Sequence, residues 1–112
     1  MRIKDGVVMS GLDICMRRAL VAAENIWIAN GRPEGVTVTS ALDGVHSASS
    51  LHYYGLALDF RTRYFDEQTK TLVFTQLCEV LDMTLFQIVW HDTHIHVEYD
   101  FFAENYEDNY DA

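Results

Sequence analysis

His52 and Asp59 stand seven positions apart, on either side of a glycine and an alternating apolar run, in the stretch Ser50-Leu-His-Tyr-Tyr-Gly-Leu-Ala-Leu-Asp-Phe60. A second stretch, Trp90 to Tyr99, supplies His91, His94 and His96. Four of the chain's five histidines therefore fall in two short segments, and a metal ion is the simplest chemistry that gathers them. Neutral imidazole and carboxylate are ordinary zinc ligands, and a catalytic zinc needs three protein ligands plus a position open to water.

The elements that must position these groups read as strands. From Gly55 to Phe60 the alternation puts Leu56, Leu58 and Phe60 on one face and Gly55, Ala57 and Asp59 on the other, so small residues leave room around the carboxylate. His52 lies just before this strand, where Gly55 lets the backbone bend. In the later stretch His94, His96 and Glu98 share one face while Ile95, Val97 and Tyr99 turn toward a core. Two adjacent strands of this kind bring His52, Asp59 and one of the later histidines to a single point. The bland alternative is a set of satisfied histidines in a small sheet. Against it stands the cost of burying an unpaired carboxylate beside small residues.

The rest of the chain supplies the frame. Residues 1 to 10 read as a short polar start. Leu12, Cys15, Met16, Ala19, Leu20, Ala23, Ile26 and Trp27 recur at helical spacing, which predicts an amphipathic helix from Gly11 to Asn30 with Ser10 as N-cap and Asn30-Gly31 as its stop. Arg17, Arg18 and Glu24 fall on its solvated face. Val36 to Ser40 reads as a strand and ALDGVHSASS as a polar loop with an Asp43-Gly44 turn. His46, in that loop, is either an ordinary loop histidine or a group facing substrate. Arg61 to Arg63 would cap the sheet end or reach a substrate. A second helix is expected over Asp66 to Asp82, carrying Leu72, Val73, Leu77, Val80 and Leu81. A hairpin then follows, with strands Leu85 to Trp90 and His94 to Tyr99 joined by a turn at Asp92-Thr93. The tail from about 103 to 112 is acidic and aromatic and reads as frayed.

These elements predict one α+β domain over residues 1–112: a small, mainly antiparallel sheet packed on two helices, with the zinc in a cleft on the open sheet face. A net charge of −9 argues against nucleic acid or an anionic membrane as partner, since both call for clustered Lys and Arg. No apolar run approaches a membrane span and no signal peptide is visible. Cys15 and Cys78 are expected as buried free thiols, in keeping with a reducing compartment.

The pattern Ser-x-His, six residues, Asp, then His-x-His-x-Glu resembles the zinc peptidases of the D-alanyl-D-alanine carboxypeptidase and L-alanyl-D-glutamate endopeptidase group, related to murein endopeptidase and the hedgehog metal-site fold. It stands here as Ser50-Leu51-His52, Asp59 and His94-Ile95-His96-Val97-Glu98, preceded by a threonine-serine strand and loop similar to small phage-encoded members. The likeness runs from about Thr37 to Tyr99. It implies His52, Asp59 and His96 as zinc ligands, His94 as a catalytic or supporting histidine and His91 at the mouth of the site. The acidic base of carboxypeptidase-type relatives is replaced by Thr93, so His91 becomes the first candidate for general base and Asp92 the second. The substrate-holding arginine of many relatives has no counterpart near Ala41-Leu42-Asp43.

The resemblance further implies hydrolysis of an amide bond in peptidoglycan stem peptides or cross-links, as by a bacteriophage endolysin. Ser50 and His46 would stand on the substrate side, and Glu98 would fix a histidine tautomer. A monomer is expected, cytoplasmic on synthesis and acting at the wall after release or as part of a virion. The competing readings are a zinc-stabilised binding module without turnover and a phage structural protein on the same fold.

Overall fold

Residues 1–41 and 56–99 are described by the computed structural model. Helix α1, Ile14–Ala29, buries Met16, Ala19, Ala23, Ile26 and Trp27, the stripe that its apolar spacing predicts. Its N-cap is Asp13, not Ser10. Gly11 turns the chain at φ 84, which delays the helix start, and the Asp13 carboxylate accepts from the Cys15 N–H at 2.9 Å. The stop is where it was expected: Asn30 caps the last turn and Gly31 follows with φ 98. The Asn30 amide also donates to Gln76 Oε1 at 2.8 Å, which ties this end of α1 to the second helix, α2 (Glu67–Val80).

Glu24 does not belong to a solvated face. It is partly buried and accepts the Val36 N–H at 2.8 Å. Gly35 makes the approach possible: its φ is 79, and a Cβ there would lie 1.3 Å from Glu24 Oε1.

In α2, Asp66 is the N-cap and accepts from the Thr69 N–H. The buried stripe, however, is Lys70, Val73, Leu77 and, just past the helix, Leu81. Leu72 and Val80, expected on that stripe, are 50% and 61% exposed, because the helix is rotated to turn a lysine inward.

The five strands of the described residues form one sheet in the order β1-β2-β3-β5-β4. They are β1 (Arg2–Ile3), β2 (Thr37–Ser40), β3 (Ala57–Arg61), β4 (Phe86–Trp90) and β5 (His94–Tyr99). All neighbours are antiparallel except β1 and β2. The polar start thus contains a strand that no periodicity could announce: two residues, held by Arg2 N–H to Val36 O (2.8 Å) and Lys4 N–H to Val38 O (3.0 Å). β4 and β5 are the expected hairpin, closed by the His91 N–H on His94 O at 3.0 Å. Both helices pack on one face of the sheet, where Leu58, Phe60, Ile95 and Val97 are fully buried and Trp27 meets Phe60 at 5.7 Å between ring centroids. Each such side chain contributes roughly 1.5–3 kcal/mol of apolar burial. The described residues therefore form the expected α+β arrangement of a mostly antiparallel sheet and two helices.

Cys15 and Cys78 are not joined in a disulfide, and both are half-buried rather than enclosed, packed at the margin of the core. Burial, aided by Glu79, pushes the Cys78 thiol above its ordinary range. No helix among the described residues is long and apolar enough to cross a membrane.

Candidate functional site

Strand register decides which polar groups meet. In the β3/β5 ladder Ala57 faces Glu98, Asp59 faces His96 and Arg61 faces His94. Since side chains alternate, the residues beyond the helical layer form one row on the open face: Asp59 from the centre of the sheet, and His94, His96 and Glu98 from its neighbour. Ala57 stands in the same row and is fully buried. On the other flank of β3 the ladder slips by a residue between Val38 and Ser40, a bulge directly beside Asp59. Thr39 Oγ1 donates to the Asp59 carbonyl there at 3.4 Å.

The contacts centre on His96. Its Nδ1 lies 2.7 Å from Asp59 Oδ1 and its Nε2 lies 2.8 Å from Glu98 Oε1, so the ring is held between two carboxylates. All three side chains are mostly buried, His96 and Asp59 at 17% exposure each. Burial works against the charged imidazole, but the hydrogen bonds and charges of Asp59 and Glu98 outweigh it and raise the His96 pKa above its ordinary value. The opposite holds for His94. Burial lowers its pKa, the Asp59 charge opposes this, and His91, His96 and Lys70 push it down further. The His94 ring has Nδ1 3.1 Å from Thr93 Oγ1 and Nε2 3.9 Å from Asp59 Oδ2.

His91 and Asp92 sit in the exposed β4–β5 turn. The His91 ring stacks on His94 with centroids 4.6 Å apart and stands 6.4 Å from the His96 ring, edge to face. Asp59, His91, His94 and His96 are thus brought together, and Glu98 joins them as a direct partner of His96. His46, Ser50 and His52 lie outside the described residues. Arg61 is the last residue of β3, and its carbonyl accepts from Trp27 Nε1 at 3.2 Å.

Asp59 and His96 fit two places of a three-ligand zinc set, and Glu98 fits the carboxylate that holds a ligand histidine by its other nitrogen. A divalent cation held by these two groups would need His96 Nδ1 deprotonated, so its binding would be coupled to pH. Among the described residues no group of three or more His, Cys, Asp or Glu is placed to hold a metal ion, and His52, the third ligand expected, lies outside them.

One residue of this neighbourhood escaped the sequence reading. Lys70, in α2, is 5% exposed and directs its ammonium at the turn that carries His91. Its signal was present but ambiguous: a lysine three and seven positions before Val73 and Leu77 lies on the apolar stripe, where a charge is unexpected. No family model matches the chain, and neither a curated protein nor a solved structure matches it.

Proposed function

We propose that this domain is a zinc-dependent peptidase of the D-alanyl-D-alanine carboxypeptidase and L-alanyl-D-glutamate endopeptidase group, with the hedgehog-type metal-site fold. Its substrate would be an amide bond in bacterial peptidoglycan stem peptides or cross-links, as for a phage endolysin. The observation that carries the reading is the in-register contact of Asp59 and His96, a carboxylate and an imidazole from adjacent central strands, 2.7 Å apart on the open face.

Asp59 and His96, with His52, would hold the ion. The chemistry a bound zinc supplies is acidification of a water toward pKa ~7 and polarisation of the scissile carbonyl. Glu98 holds His96 by Nε2 and so presents Nδ1 to the ion. His91, exposed and within one ring of His96, accepts the water proton and returns it to the leaving amine, with Asp92 the alternative base. Burial disfavours the charged form of His94; in the tautomer whose Nδ1 accepts from the Thr93 hydroxyl, its Nε2–H would donate to the developing oxyanion. Ser50 and His46 serve the substrate side.

Thr93 favours a second reading. The position that would hold the acidic base instead engages His94, which suits a zinc-stabilised module, or a phage structural protein, without turnover. The two separate on one preparation. The peptidase reading expects one zinc per chain, new amino groups from purified peptidoglycan, loss of release on chelation and recovery with zinc. His91→Ala should stop release while zinc stays bound. Zinc retained with no release from any wall type would establish the silent module, and failure to bind zinc would overturn both.

A further inference from the structure

His94 and His96 line the open face of the sheet, but the turn that carries His91 is fixed by a charge from helix α2. A buried ammonium needs its N–H groups satisfied, and Lys70 spends all of its reach on one short segment. Nζ donates to the backbone carbonyls of His91 at 2.5 Å and Asp92 at 3.2 Å, and lies 4.1 Å from the centroid of the Trp90 ring. Trp90 is braced in turn by Phe74, edge to face at 5.5 Å. Residues 90, 91 and 92 are therefore gripped together, at the end of β4 and the start of the turn.

A methionine or leucine at position 70 would continue the Val73 and Leu77 stripe and avoid desolvating a charge. What only a long cation does there is pin two consecutive carbonyls of a turn. The main chain so pinned belongs to His91, whose ring lies on His94 with centroids 4.6 Å apart. We propose that Lys70 is a positioning residue for His91, holding the β4–β5 turn so that this imidazole stays stacked on His94 at the mouth of the site. The consequence for turnover rests on the peptidase reading; the consequence for ring placement does not. Displacing a proton-transfer group by about an ångström costs on the order of a hundredfold in rate, so a clamp on two carbonyls is enough to matter.

The test compares the zinc-loaded wild type with Lys70→Met and Lys70→Arg. In the folded Lys70→Met protein, the nuclear Overhauser contact between the His91 and His94 rings is expected to vanish. Its kcat on peptidoglycan should fall roughly ten- to hundredfold with KM and zinc stoichiometry kept, and Lys70→Arg should restore both readouts in part. A role in hairpin stability alone would leave the ring contact and kcat of the folded protein unchanged, and that result overturns the proposal. If Lys70→Met does not fold, the wild-type ammonium decides: a slowly exchanging Lys70 NH3 resonance with contacts to the Trp90 ring supports the clamp, and its absence overturns it. If the wild type has no turnover, the peptidase reading falls, while the ring contact still decides the assignment of Lys70.

Discussion

The two faces of the β3/β5 ladder are built from the same two strands and differ in almost everything else. On one face Leu58, Phe60, Ile95 and Val97 are fully buried beneath the helices, with Trp27 against Phe60. On the other, Asp59, His94, His96 and Glu98 remain partly open, and the His96 ring is hydrogen-bonded to both Asp59 and Glu98. The closed face supplies burial and so holds the strands in register. The open face uses that register: one residue of slip would exchange the two rows and leave carboxylates in the core. Stability and the candidate chemistry are thus separable by face, although they alternate residue by residue.

The sharpest way to break this comparison is to cut the closed face. Phe60→Ala should cost about 3–5 kcal/mol, read by denaturant unfolding, and should weaken zinc binding only in proportion to the unfolded fraction. A direct loss of metal affinity in the folded protein would show that the faces are not independent. Next comes Asp59→Asn, which keeps shape and removes charge. It should lower zinc affinity by roughly a hundredfold or more by calorimetry while leaving the unfolding midpoint near that of the wild type. A large stability loss in the presence of folded metal-free protein would assign Asp59 to the scaffold instead.

Glu98→Gln is a milder cut on the same face. It retains a hydrogen bond to His96 but not the charge, and zinc affinity should fall by roughly tenfold, with release of amino groups falling in step. The smallest effect concerns pH and belongs to neither face. Asp66 and Asp82 are held below the ordinary carboxylate value of 3.8, chiefly by side-chain hydrogen bonds with Thr69 and Thr84 and then by the backbone N–H groups of the same residues. Their folded pKa values are depressed, so the stability they give is present above the unfolded value and is lost as pH falls through the folded one. The Asp66→Asn, Asp82→Asn pair should therefore flatten the acid limb of thermal unfolding below about pH 4 by a small amount. An unchanged limb would mean that other carboxylates, those of the open face among them, control it.

Much of the frame was legible because each signal was local. The α1 stripe, the Asn30-Gly31 stop, the existence and start of α2, the β4–β5 hairpin and the two faces of β5 follow from spacing and turn chemistry. What misled was also local. Ser10 is a good capping residue, but Gly11 spends a turn before the helix begins. Glu24 looks like a surface charge until Gly35 lets the backbone of Val36 reach it. Leu72 and Val80 were as apolar as Val73 and Leu77, so periodicity alone could not choose between neighbouring stripes in α2.

By itself the sequence determined that Asp59, His94, His96 and Glu98 occupy the polar faces of two strands, because a strand's side chains alternate whatever lies around it. Only the tertiary structure decided that those faces coincide, that Asp59 stands opposite His96 and not one residue along, and that Lys70 reaches His91 and Asp92 from another element. Those facts depend on pairing between segments distant in the chain, and pairing is settled by the packing of the helices on the far side of the sheet.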